Sequence, residues 1–314
     1  MTLVLILAVA AVAFTNGANA NFKCVASLAG SGILSLRTAG WYGTVATLMG
    51  SIASLPLAGG LLAAFGGKGI VPTETAASTA FITSVALAGA LTSFLATRLG
   101  FPVSTTHALL GGLVGAGLAA GSLVHWPTLA RLIAIPLMLS PLIAILAGMV
   151  FAAVLRSSRI RGDQGSRTMD TLHILIAGVA SFARGLNDTP KMAALAIVIP
   201  SMSVSMAFIA VGVLIALGGL FDLRRVAVTL STRITAMNPV EGFLAGMVTA
   251  ALVTVSSVYS WPVSTTHVSV GSLVGIGAVN QKANWRTIRD VVIAWVTTVP
   301  CGIAIAGMAS LALR

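Results

Sequence analysis

Two identical hexapeptides, Pro102-Val103-Ser104-Thr105-Thr106-His107 and Pro262-Val263-Ser264-Thr265-Thr266-His267, lie 160 residues apart, each running into a glycine-rich apolar stretch. A proline drives the residue before it towards extended backbone, and a serine or threonine caps a helix that begins next. Each run therefore predicts a helix N-terminus, whose free N–H groups and positive dipole end favour an anion. The hydroxyls of Ser104, Thr105, Thr106, Ser264, Thr265 and Thr266 add neutral donors, and two such termini facing each other would cradle a tetrahedral oxyanion. Capping of buried half-helices accounts for any single hydroxyl equally well.

A looser pair, Gly17-Ala18-Asn19-Ala20-Asn21-Phe22-Lys23 and Gly185-Leu186-Asn187-Asp188-Thr189-Pro190-Lys191, is offset by 168. Lys23 and Lys191 are the lysines of the apolar body, where a bare ammonium costs about 2.5–3.5 kcal/mol or more. Asp188 is the one carboxylate of seven inside an interrupted apolar segment. It balances one lysine and leaves the other, with Arg184 nearby, to a substrate anion. The competing reading is a plain Lys–Asp pair, or lysines that reach back to the interface. Asn19, Asn21 and Asn187 offer amide oxygens to a coupling cation and amide N–H groups to an anion, and sequence does not choose. His107 and His267 suit a proton relay at an ordinary pKa of about 6.5, and equally suit fixing the half-helix by hydrogen bonding. A hydrolase triad drawn from Ser104 or Ser264, a histidine and Asp188 lacks any nucleophile elbow and has no need of duplication, so an enzyme is not expected. Cys24 and Cys301 have neither disulfide nor zinc spacing, and no metal or cofactor is expected beyond a coupling ion.

The elements that must position these residues are membrane helices. Of 314 residues, 57% are hydrophobic and 8% charged, about a third of the charged share of a soluble domain. The net charge of +11 belongs to cytoplasmic loops rather than to a nucleic-acid surface. Ten apolar segments emerge: 1–33 (interrupted near 15–24), 41–65, 78–97, 107–121, 128–155, 172–200 (interrupted near 184–191), 202–220, 240–260, 267–280 and 291–313. The run Leu3 to Phe14 before Ala18-Asn19-Ala20 imitates a secretory leader but has no basic n-region, and its Asn19–Lys23 stretch recurs later, so it reads as mature protein.

Placing Arg156, Arg159, Arg161 and Arg167 in the cytoplasm puts Arg37, Arg98, Arg224, Arg225, Arg233, Lys282, Arg286 and Arg289 there too, with Lys68, Arg131, Arg314 and both termini outside. Five crossings per half, an odd number, invert the second half against the first. The expected organisation is a first repeat over 1–155, a basic cytoplasmic linker over 156–171 and a second repeat over 172–314. Broken segments at matching places in inverted halves point to a transporter site near the midplane. The fold class is thus an all-α polytopic membrane protein with re-entrant helices, set in the lipid of a bacterial inner membrane, its oligomeric state open.

At Gly17-Ala18-Asn19, Gly185-Leu186-Asn187-Asp188 and both Pro-Val-Ser-Thr-Thr-His runs, the chain resembles the inorganic phosphate transporter (phosphate permease) family over nearly its whole length, as a divergent bacterial member. The resemblance implies a symporter that moves phosphate with H+ or Na+, with Asn19, Asn187 and Asp188 lining the cation and phosphate sites and the Ser-Thr-Thr runs contacting phosphate. Ala20 stands where the family pattern has an acid, and Lys23 and Lys191 replace small residues. Both departures make the site more positive, favouring a dianion and coupling to protons or one cation over two sodium ions. Sulfate or another tetrahedral oxyanion is the alternative cargo, and an anion channel with a helix-dipole filter is the alternative class.

Overall fold

Inside a bilayer every backbone polar group needs a partner within the protein, so apolar runs fold as helices. A computed structural model of the chain describes residues 1–57, 59–157, 166–221 and 224–313. Arg159, Arg161, Asp163, Asp222, Arg314 and the 158–165 stretch of the expected linker lie outside the described residues.

The first half supplies α1 (Thr2–Ala20), α2 (Leu36–Ala53), α3 (Thr79–Leu99), α4 (Thr105–Ala119) and α5 (Trp126–Ser157). The second supplies α6 (Arg167–Ala196), α7 (Val204–Phe221), α8 (Pro239–Val258), α9 (Thr265–Val279) and α10 (Trp285–Ala312). Six of these, α1, α3, α5, α7, α8 and α10, are long and apolar enough to cross a membrane. Helices α2 and α6 match them in length but carry buried polar faces, Thr44, Thr47 and Ser51 on one and Arg184 to Lys191 on the other. Helices α4 and α9 have 15 residues each, about 22 Å of rise against a hydrocarbon core of about 30 Å, and they begin at buried serines inside the protein. Ten segments in two inverted repeats result.

Polarity is distributed inside-out. Leu139, Leu142, Leu146 and Val150 form an exposed apolar stripe along α5, while asparagines, lysines and an arginine fill the centre. The chain is an integral, multi-pass membrane protein.

The packing repeats between halves. Helix α1 packs on α3 as α6 packs on α8, and α3 on α4 as α8 on α9. The halves also exchange partners: α4 lies against α10 of the second half, and α9 against α5 of the first. Likewise α1 contacts α7, and α6 contacts α2. These last crossings are close because Gly17 faces the Ile215 carbonyl and Gly185 the Thr47 carbonyl, leaving no room for a Cβ at either. Gly50 against Phe182 and Gly218 against Phe14 repeat the device at the same offset of 168.

Two features differ from expectation. The first break falls at residues 21–25, a string of turns between α1 and the short helix Ala26–Gly30, rather than near 15–24. The second is absent: α6 runs unbroken from Arg167 to Ala196 through Pro190. The side chains of Asn187, Asp188 and Lys191 all find partners outside α6, and the proline, lacking an N–H, forfeits a single ladder bond while the helix continues. The re-entrant turns are as predicted. Gly100 ends α3 in the left-handed region (φ +78°), and at the matching place after α8 Ser260 adopts φ +56°, uncommon for a residue with a Cβ.

Candidate functional site

Extended residues after those turns deliver each Ser-Thr-Thr run to the centre. Ser104 (φ −100°, ψ 109°) and Ser264 (φ −92°, ψ 109°) are the N-caps of α4 and α9, each Oγ accepting the backbone N–H of the histidine three residues on at 3.2 Å. Capping therefore occupies one lone pair of each serine and leaves its hydroxyl proton free to donate.

The two lysines hold the two runs together across the halves. Lys23 Nζ donates to Val103 O at 2.7 Å and to Thr266 Oγ1. Lys191 Nζ donates to Val263 O at 2.8 Å and to Thr106 Oγ1 at 2.9 Å. Each lysine thus takes the carbonyl before the serine of its own half and the second threonine of the other half, a two-fold relation. The relation breaks at the acids. Lys191 also meets Asn187 Oδ1 and, at 3.2 Å, Asp188 Oδ1, whereas Ala20 stands at the place matching Asp188. Among the described residues no carboxylate pairs with Lys23.

Asp188 is the hub of the remaining contacts. Its Oδ2 lies 3.5 Å from Arg184 Nε, and accepts from Thr265 Oγ1 at 3.4 Å and Asn16 Nδ2 at 3.5 Å. Arg184 in turn donates to Asn16 Oδ1 at 2.6 Å and to Asn21 Oδ1. Lys23, Arg184, Lys191 and Asp188 are 3%, 0%, 1% and 4% exposed, so this is a buried cluster of three cationic groups and one carboxylate. Its two excess positive charges are costly without an anion. Asp188 pairs with Lys191, and Arg184, expected beside the unpaired lysine, lies against the same carboxylate.

Asn19 has a different occupation from the one expected of it. Its Nδ2 donates to Thr97 Oγ1 (2.9 Å) and Phe101 O (3.0 Å), and its Oδ1 accepts from Val103 N (3.1 Å), so it pins the re-entrant segment. Asn187 makes the matching bond to Ser257 Oγ at 3.2 Å and turns its oxygen to Lys191 instead.

His107 and His267 meet edge to face, ring centroids 4.3 Å apart, and His267 meets Trp295 edge to face too, at 3.8 Å. Trp295 Nε1 donates to Pro102 O at 2.9 Å, tying α10 to the first hexapeptide. The serines cap the half-helices through the histidines' backbone N–H groups. Neither ring nitrogen of His267, nor Nδ1 of His107, has a hydrogen-bond partner among the described residues.

Sequence reasoning passed over Asn16, Ser93, Thr97 and Ser257. Ser93 and Thr97 contact Thr105 and Asn19 from α3. Thr97 and Ser257 sit at the offset of 160 that relates the hexapeptides, which would have found them. Asn16 matches Arg184 at the offset of 168, but an amide facing a guanidinium shows no identity to a pattern search.

Residues 16–169 and 156–306 each match the family described as the Phosphate transporter family. A Rhizobium meliloti (strain 1021) protein named "Probable low-affinity inorganic phosphate transporter" is 32% identical over 239 residues, 71% of this chain and 71% of its own. A Mycobacterium bovis protein of the same name is 28% identical over 316 residues, 95% of this chain and 74% of its own. A solved structure titled "The sodium-dependent phosphate transporter" superposes with a TM-score of 0.87 at 21% identity, covering 99% of this chain and 98% of that one, which establishes the likeness of fold.

Proposed function

The chain belongs to the phosphate transporter family, and from that premise we propose that it is a secondary active transporter carrying inorganic phosphate across a bacterial plasma membrane together with H+ or Na+. The observation that carries this reading is the buried cluster around Asp188, with its two excess positive charges, set between the N-termini of two re-entrant half-helices from opposite halves. A doubly charged oxyanion neutralises it.

In this reading Ser104, Thr105, Thr106, Ser264, Thr265 and Thr266 give the anion hydroxyl donors, and Lys23 and Lys191 give it charge. Lys23 is the better placed of the two lysines, since its two acceptors, Val103 O and Thr266 Oγ1, leave one of its three N–H donors for the anion. Asn187 and Asp188 serve coupling by holding charge beside the substrate. Asn19 positions the loop they act on. The unpaired nitrogens of His107 and His267 support a proton relay between the half-helix N-termini. In this reading the groups that move about the fixed site are the helix sets made by the exchange, α4 with α10 and α9 with α5, in a transport cycle rather than chemical turnover.

Sulfate or a related oxyanion is the second reading. Donors outnumber acceptors in the cluster, and Asp188, the acceptor that would require a protonated phosphate oxygen, is already shared by Lys191 and Arg184. Uptake of labelled phosphate into proteoliposomes, with unlabelled sulfate as competitor and a proton or sodium gradient imposed in turn, separates the readings. Gradient-driven phosphate uptake indifferent to sulfate supports the first, and uptake of sulfate in its place supports the second.

A further inference from the structure

Each lysine ammonium sits in a shell made of oxygen alone. Around Lys191 Nζ stand Val263 O at 2.8 Å, Thr106 Oγ1 at 2.9 Å, Asp188 Oδ1 at 3.2 Å and Asn187 Oδ1. Around Lys23 Nζ stand Val103 O at 2.7 Å and Thr266 Oγ1. Backbone carbonyl, hydroxyl, amide oxygen and carboxylate together form the donor set that a hard metal cation takes. An ammonium has three protons to donate, and Lys191 meets four oxygens, so its surroundings provide more ligands than its hydrogen bonds require. The Lys191 shell thus has the composition of a cage for a monovalent cation, and the side chain fills it, whereas Lys23, with two oxygens, keeps an N–H for the anion.

This cage joins the halves, since it takes a carbonyl from one re-entrant segment and a threonine from the other. The cation in it therefore clamps the two half-helix N-termini beside the anion site. A metal ion entering the cage would have to displace a tethered charge and enter a cluster that already holds two positive charges in excess, Lys23 among them, which Coulomb repulsion in a buried site opposes.

We propose that Lys191 is a tethered cation that permanently occupies a monovalent-cation site, with Lys23 repelling a metal ion from beside it, so that this protein carries a dianion without sodium. The inference rests on the transport reading above for its cargo, but its cage is tested without any cargo.

The first arm is thermal unfolding of the purified full chain in detergent, in sodium chloride against choline chloride at equal ionic strength. The wild type is expected to unfold at the same temperature in both salts. Lys191→Ala, whose cage is vacated, is expected to gain a saturable sodium-dependent rise of several degrees. A saturable rise in the wild type, or a folded variant indifferent to sodium, overturns the proposal. The second arm, which stands even where a variant does not fold, is wild-type uptake of labelled phosphate with external sodium replaced by choline. Equal rates within twofold are expected, and loss of more than tenfold overturns the proposal. Were phosphate not carried in either salt, the transport reading would fall, while the sodium titration would still decide the cage.

Discussion

Lys23 donates a hydrogen bond to Thr266, 243 residues away in the other half of the chain, and Lys191 donates the matching one to Thr106. The two contacts are related by the internal repeat but are not equally supported. Lys191 retains three other oxygens if its threonine is lost, and Lys23 retains one.

Thr266→Val is therefore expected to cost more than Thr106→Val, although both remove the same hydroxyl. Leaving a buried ammonium short of an acceptor costs about 1–3 kcal/mol, and the redundancy around Lys191 places Thr106→Val at or below the low end. Differential scanning fluorimetry of the two variants in the same detergent decides the order. A larger loss for Thr106→Val would mean that the extra oxygens around Lys191 do not share its load.

Ala20→Asp restores an acid three residues before Lys23, as Asp188 stands three before Lys191. It lowers the excess charge of the cluster from two to one, and a charge about 4–6 Å from the anion is worth enough at an effective dielectric near 20 to raise the KM for phosphate about tenfold or more. The same change gives Lys23 a partner, so the folded protein is expected to become more stable while it binds its anion less well. Initial-rate uptake over a range of phosphate concentrations measures the first effect. An unchanged KM would place the anion away from Lys23.

Asp188→Asn acts in the opposite sense on stability. It leaves Arg184 and Lys191 without their shared carboxylate, and breaking a buried pair costs about 3–5 kcal/mol. Saturating phosphate should return part of that loss, because the variant cluster has three uncompensated cations rather than two. Unfolding temperature with and without phosphate checks this; a smaller phosphate-induced rise in the variant than in the wild type would contradict it.

Gly17→Ala and Gly185→Ala each press a methyl group against a backbone carbonyl, of Ile215 and Thr47, which cannot swing away as a side chain does. A loss of about 2 kcal/mol or more is expected at each, with Gly59→Ala as the neutral comparison because its Cβ would meet open space. Recovery of monodisperse protein on gel filtration, together with unfolding temperature, reports the difference.

Much of this arrangement was legible in the sequence for definite physical reasons. The duplicated Pro-Val-Ser-Thr-Thr-His placed two helix N-termini, because proline geometry and serine capping act locally, and both caps form with nearly equal backbone angles. The ten segments followed from apolar length, since a bilayer leaves the backbone few alternatives to helix. What local patterns could not give was set by contacts between distant helices. The partners of Asn187, Asp188 and Lys191 come from α4, α8 and α9, and the occupation of Asn19 depends on Val103 and Thr97. The exchange of α4 and α9 between halves leaves a trace only in glycines such as Gly111 and Gly275, whose close approach to Val299 and Ile145 is a tertiary fact. Asn16 escaped notice because its repeat partner, Arg184, differs from it in chemistry while sharing its place.

The central claim, a carrier that alternates phosphate about the lysine–threonine cluster, is tested most directly by counterflow. Proteoliposomes loaded with unlabelled phosphate and diluted into a trace of labelled phosphate, with no ion gradient imposed, should take up label transiently above its equilibrium level. The Thr106→Val/Thr266→Val double variant should show no such overshoot. Label that merely equilibrates in the wild type, as through a pore, or an undiminished overshoot in the double variant, would contradict the account.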